Sequence, residues 1–286
     1  MDNHRNPLRP SATLPVRGPT SGSSRRADRG SGPGPITGSS QRTDRGTSGS
    51  SRRADRGSGP GAITPDGCAV ELYALLPPMG EPELVHAAIP AGASILELGA
   101  GAGRMTARLV ELGHPVVAVD ESAEMLAHVR GAETVRARIQ DLELGRRLDA
   151  VLLASHLVNT PDRDLRAGLL RACRTHVRNG GHVLVQRHPP AFIDEAAEGE
   201  RTTAGITFRL RGLTRPGPGL LAATAEYQVG ERVWTQTFTT ERLDDGALAA
   251  ALAGAGLAVD AYLTGDGSWV RAVPSARGEA LGRSPR

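Results

Sequence analysis

Residues 94–104 read Ser-Ile-Leu-Glu-Leu-Gly-Ala-Gly-Ala-Gly-Arg. Ser94 to Leu98 form a short apolar run that ends in glycine, and from Arg104 to Leu112 the apolar spacing is helical until Gly113 stops it. Glycines alternate between the two, at Gly99, Gly101 and Gly103. Lacking a Cβ, they accept positive φ and let a ligand approach the backbone, while the helix start offers unpaired N–H groups. Strand, glycine turn and helix in that order predict a nucleotide-like ligand, against the alternative of a tight turn that binds nothing.

The same unit recurs downstream. Val116 to Val119 is a β-branched run closed by Asp120, and Ser122 is placed to cap a helix carrying Met125, Leu126 and Val129. Arg136 to Ile139 is the expected third strand, Ala150 to Ala154 the fourth, Asp164 to Val177 an amphipathic helix, and His182 to Gln186 the fifth strand. Helices at Glu71 to Leu76 and Glu83 to Ile89 are expected before the first strand. Apolar strands separated by helices call for a parallel sheet with right-handed crossovers, so the fold class is α/β, doubly wound.

After Pro190 the pattern changes. Ile206 to Leu213, Leu221 to Val229 and Arg232 to Thr239 alternate like half-exposed antiparallel strands, with Gly230-Glu231 suited to a hairpin turn. Leu243 to Ala255 reads as a last helix, and Leu257 to Leu263 with Ser268 to Val273 as a closing hairpin. The expected sheet is therefore mostly parallel, of a seven-strand type, with an antiparallel end and an inserted antiparallel segment.

Two nucleotide classes compete for the glycine turn. A dinucleotide fingerprint needs a third glycine where this chain has Arg104. The observed G-x-G-x-G with Glu97 two residues before it resembles motif I of the class I S-adenosylmethionine-dependent methyltransferases. Asp120 suits the ribose hydroxyls in either class. The resemblance is specific over Ile95 to Val129 and coarse over residues 65–273. It implies S-adenosyl-L-methionine as cofactor, with Glu97 on the glycine loop and the methionine amino group, and Gly99, Gly101 and Gly103 beneath methionine and ribose. It further implies Asp120 on the ribose, Glu121 beside the adenine, Asp141 and the Leu142 N–H on the adenine edge, and Tyr73 over the cofactor. For Asp141 the alternative is a solvated loop carboxylate, and for Tyr73 an interface packing residue.

Methyl transfer is an in-line displacement at a carbon activated by sulfonium, so the protein mainly aligns the reactants and excludes water. A general base adds about 10²- to 10⁴-fold for a hydroxyl acceptor, and His is the usual group near neutral pH. His156 and His188, each at the carboxyl end of an expected strand, are the candidates. The alternative is that both only hydrogen-bond in the cleft. Trp234 and Phe238 either line an apolar cavity or pack the sheet. Ala154 to Asn159 lacks an N-P-P-Y-like element, which argues against amide and nucleobase amine acceptors.

Charge and composition sharpen the reading. Residues 1–64 hold 11 Arg against 4 Asp, a net +7, and the remainder is −4. Ser21 to Gly34 recurs identically at Ser48 to Gly61, with a degraded copy at Gly38 to Gly46. This Ser, Gly, Pro and Arg composition has little to bury, so residues 1–64 are expected to be a disordered tail, 65–275 the methyltransferase domain and 276–286 a flexible end. The acidic, aromatic-poor body argues against nucleic acid, leaving a small-molecule acceptor, or else an amino-acid side chain, as the expected substrate. A nucleic-acid methyltransferase guided by the tail and a non-catalytic cofactor-binding regulator are the competing functions. Cys68 and Cys173 are too few for a disulfide framework or a zinc site, no metal is expected, and a reducing cytoplasm is the expected compartment.

Overall fold

In a computed structural model the described residues are 57–275. β1 (Gly57–Ser58) leads into α1 (Val70–Leu75) and α2 (Glu81–Ala88), ahead of β2 (Ile95–Leu98), whose four residues are all buried. α3 (Arg104–Glu111) starts directly after the glycine turn and β3 (Val116–Asp120) follows. α4 (Ala123–Leu126) is a single turn capped by the Ser122 side chain, which accepts from Met125 N. β4 (Glu133–Arg136), β5 (Leu148–Leu153), α5 (Arg163–His176, with Asp162 as N-cap) and β6 (Val177–Gln186) complete the parallel half.

The chain then leaves that sheet. After the short α6 (Phe192–Glu195) it makes β7 (Gly199–Thr203), β8 (Ile206–Thr214), β9 (Leu220–Val229) and β10 (Arg232–Glu241). It returns through α7 (Asp245–Gly254) to β11 (Leu257–Tyr262) and β12 (Trp269–Pro274). The main sheet has the order β11-β12-β6-β5-β2-β3-β4, and β12 is antiparallel to both its neighbours while β6, β5, β2, β3 and β4 run parallel. The excursion is a five-stranded antiparallel sheet, β1-β10-β9-β8-β7. The α/β doubly wound core and the antiparallel insertion stand as the sequence predicts.

Leu96, Leu98, Val151, Leu153, Val183 and Val185 form one core face with Leu169, Leu170, Leu248 and Leu252 of α5 and α7. Ile95, Leu152 and Leu184 face the other way, against Val85, Met105 and Leu109 of α2 and α3. Each such aliphatic side chain, withdrawn from water, contributes on the order of 1.5–3 kcal/mol. With the sheet covered on both sides, its ligand-accessible edge is the row of carboxyl strand ends at the point where order reverses between β2 and β5.

Two expectations are corrected. The third strand lies at Glu133–Arg136, and the segment expected as strand ends in a 3₁₀ turn, Ile139–Asp141. Pairing stops where Ala137 N bonds Asp120 O, which frees Ile139 to turn toward the glycine loop. Gly57 and Ser58 pair with β10, and Pro60 O accepts from the Trp234 indole N–H. The helix after Ser122 does not reach Val129, which closes a separate turn onto Leu126 O. Expectations for residues 1–56 and 276–286 lie outside the described residues.

Candidate functional site

The glycine turn needs its glycines. Gly99, Gly101 and Gly103 have φ of +72°, +55° and +83°, the left-handed region that L side chains rarely adopt. A Cβ at Gly99 would stand 2.8 Å from Leu157 Cδ1, while one at Gly101 would reach only the Tyr73 ring, at 4.0 Å. The loop is thus walled by Leu157 and Ile139 on one side and roofed by Tyr73.

Two carboxyls frame it. Glu97, at 3% exposure, accepts from Thr106 Oγ1 at 2.6 Å, which ties β2 to α3 across the turn. Burial pushes its pKa up to about 7, with the Thr106 bond opposing. Asp120 accepts from Gly101 N through one oxygen and from Ser122 N through the other, each at 2.9 Å. Burial raises its pKa, and these backbone bonds pull the other way. Each carboxylate oxygen retains a second lone pair, so Asp120 can hold the loop and still accept from a ligand hydroxyl.

Glu97, Gly99, Gly101, Gly103, Asp120 and Tyr73 are therefore together. Glu121 and Asp141 sit at the rim, where both reach Arg138, at 4.0 and 3.8 Å, and both are largely exposed. Leu142 is buried in the core and its N–H bonds Ile139 O at 3.3 Å, so of its predicted role only a shared or displaced bond is open to it.

His156 and His188 meet beyond Leu157. Their rings stack at 4.0 Å and 16°, and His188 stacks in turn on Phe192 at 4.3 Å and 11°. Ser155 and His156 both have positive φ, 55° and 58°, a strained pair held by the bond from Ser155 N to Gln186 Oε1. His156 makes a hydrogen bond with the Arg187 backbone, but its Nδ1 is buried without a partner. Burial lowers His156 to about 4; burial and then the neighbouring His156 lower His188 to about 2. Both rings are neutral at physiological pH. Asn159 fixes this corner: its Oδ1 accepts from His188 N and its Nδ2 donates to Glu241 O, joining β5, β6 and β10.

The inserted sheet meets the glycine turn's roof at Tyr73. Trp234, Gln236 and Phe238 share one face of β10, opposite Tyr227, Ala225 and Ala223 of β9. Tyr73 donates to Gln236 Oε1 at 3.2 Å. Trp234 is fully buried against Ala69 and Leu72, so it packs and lines no cavity; Phe238 is half-buried. Arg104 pairs with Glu81 at 2.9 Å and lies within electrostatic reach of Glu97, His156 and Tyr227. Sequence reasoning missed Leu157, Asn159 and Gln236, whose partners lie far along the chain, and Thr106, which reaches back nine residues to Glu97. Among the described residues no group of His, Cys, Asp or Glu is placed to hold a metal ion, and no helix is long and apolar enough to cross a membrane.

Strand order, switch point and glycine turn define a Rossmann-like fold. Residues 95–181 match the methyltransferase domain family. An uncharacterized methyltransferase of Mycobacterium tuberculosis (strain ATCC 25618 / H37Rv) is 48% identical over 67 residues, which is 23% of this chain and 28% of that protein. The match thus spans little more than a quarter of the curated relative. Among solved structures, the CcbJ methyltransferase from Streptomyces caelestis is similar at TM-score 0.60 and 21% identity, over 72% of this chain and 96% of that one. CalS10, an amino pentose methyltransferase from Micromonospora echinaspora, is similar at TM-score 0.56 and 21% identity, over 73% and 93%.

Proposed function

We propose that this chain transfers a methyl group from S-adenosyl-L-methionine to a small-molecule nucleophile. The observation that carries the reading is the pairing of a desolvated Glu97 carboxyl with Asp120 across a three-glycine turn, beside a buried imidazole nitrogen with no partner. These residues fit the cofactor. Glu97 suits its ammonium, since a buried carboxylate gains a charge-assisted bond. Asp120 suits the ribose hydroxyls, Tyr73 roofs the turn, and Glu121, Asp141 and the Leu142 N–H edge the adenine end. When bound, the cofactor supplies an activated methyl group.

The chain's own residues then align and dry the acceptor. Leu157 and the His156–His188–Phe192 stack wall the cleft, and the β10 face covers it. His156, whose Nδ1 lacks a partner, accepts a hydrogen bond from the N–H or O–H of the nucleophile and so orients it. A ring with pKa about 4 is a weak proton sink, because efficient bases have pKa values near the working pH. Orientation is therefore its main duty, which suits an acceptor that arrives with a free electron pair, such as an amine. His188 supports His156 by stacking. The mildly acidic, aromatic-poor body gives no polyanion track, which disfavours nucleic acid.

The test is S-adenosylhomocysteine release from the full chain with a panel of amines and hydroxyl compounds, amino sugars included. Turnover with a member of the panel, lowered by His156→Ala while S-adenosylhomocysteine affinity holds, supports the assignment. Equal turnover in both chains removes His156 from it.

A further inference from the structure

The first described residues are seated on the edge of the antiparallel sheet. Gly57 stands opposite Gln236 and Ser58 opposite Thr235, with the two hydroxyls 2.6 Å apart. Pro60 O accepts the Trp234 indole N–H at 2.9 Å, and Ala62 O accepts from Val70 N at 3.0 Å. The seat excludes side chains at its glycines. A Cβ at Gly57 would lie 2.0 Å from Gly67 O, and one at Gly59, where φ is +135°, 2.4 Å from the Trp234 ring. It thus reads Gly-Ser-Gly-Pro-Gly by shape and by strand addition to an exposed edge.

The same five residues stand at Gly30–Gly34. The identity continues through Ile36 and Thr37, which match Ile63 and Thr64, and breaks only where Pro35 replaces Ala62. Ala62 enters the seat through its carbonyl, which proline also has. No contact of the seat therefore distinguishes the two copies.

We propose that the groove between the β10 edge, Trp234 and the 64–69 turn is a docking site for this strand, and that Gly30–Gly34 of the same chain is its second ligand. Closing the extra 27-residue loop disfavours the upstream copy by a factor of roughly 10². A tethered copy has an effective concentration on the order of millimolar, well above that of a second molecule in dilute solution, so exchange occurs within one chain. The downstream copy holds the groove, and the upstream copy takes it when the downstream copy is blocked. Gln236 touches both the seat and Tyr73, so refilling the groove keeps the roof of the glycine turn in place. This inference does not depend on the methyl-transfer reading.

The experiment uses the full chain with Cys68→Ser, mixing light and heavy isotope-labelled copies under mild oxidation and mapping disulfides by mass spectrometry. Ser58→Cys with Thr235→Cys bonds rapidly if the seat is as described. Ser31→Cys with Thr235→Cys bonds slowly, and adding Gly59→Val speeds it on the order of 10²-fold, within single chains. Gly57→Ala, a milder block, has the same direction of effect should Gly59→Val impair folding. Adding Gly32→Val to the blocked chain returns the slow rate. A rate unmoved by the blocks, insensitivity to Gly32→Val, or bonds between light and heavy chains overturns the proposal.

Discussion

Replacing Glu97 by Gln separates what the buried carboxyl does for binding from what it does to stability. Gln keeps the shape and can still accept from Thr106, but it carries no charge. In the ligand-free protein the Glu97 pKa rises from 4.5 to about 7. The folded state therefore holds a proton that the unfolded chain has lost, and stability falls as pH rises between those values. Above pH 7 the deficit is on the order of 3 kcal/mol. A cofactor ammonium needs the ionised form, of which about a tenth is present one pH unit below the pKa. S-adenosylhomocysteine should thus bind roughly tenfold more weakly at pH 6 than on the plateau above pH 7. In Glu97→Gln, affinity at pH 8 should drop by about 1.5–3 kcal/mol, the range for a bond to a charged group, and the pH dependence should flatten. The same variant should melt at a higher temperature than the parent at pH 8. Calorimetric titration at pH 6, 7 and 8 with thermal melts at each pH checks both signs. Unchanged affinity with a surviving pH slope would refute the placement of Glu97 against the ligand.

Asp120→Ala removes the acceptor for Gly101 N and the proposed ribose contact; S-adenosylhomocysteine affinity should fall by roughly 1.5–3 kcal/mol, read by the same titration, and unchanged affinity would exclude Asp120 from the site. Trp234→Ala should cost about 3–5 kcal/mol in urea unfolding, since the buried indole also anchors Pro60; a loss under 1 kcal/mol would show a loosely packed seat. Because His156 stays neutral down to about pH 4, the pH profile of turnover from 5 to 8 should be the same in the parent and in His156→Gln apart from its height. A limb near pH 6.5 that vanishes in the variant would restore His156 as a titrating base.

The parallel core was legible because its signals are local. Ile95–Leu98 and Val116–Asp120 are buried on nearly every residue, and a continuous apolar run closed by glycine or Asp admits few other readings. The glycine turn and Asp120 were legible for the same reason. β4 was misplaced because an edge strand with one half-buried residue has no strong period, and its end is set by pairing with β3. β1 was invisible because Gly-Ser carries no strand propensity; its place comes from Trp234 and β10, some 175 residues away in sequence. The Tyr73 bond to Gln236 crosses the insertion and follows only from the folded sheet. The stacking of His156 on His188, and the neutrality that burial imposes on both, depend on the strained Ser155–His156 turn, which no spacing of residues announces.

The central claim is that the glycine turn serves a methyl donor rather than a dinucleotide, and calorimetric titration of the full chain with S-adenosylhomocysteine and with NADH tests it most directly. The account predicts roughly micromolar binding of the first and none of the second. Binding of NADH alone would contradict it, because Arg104 in place of the third fingerprint glycine would then not exclude a pyrophosphate.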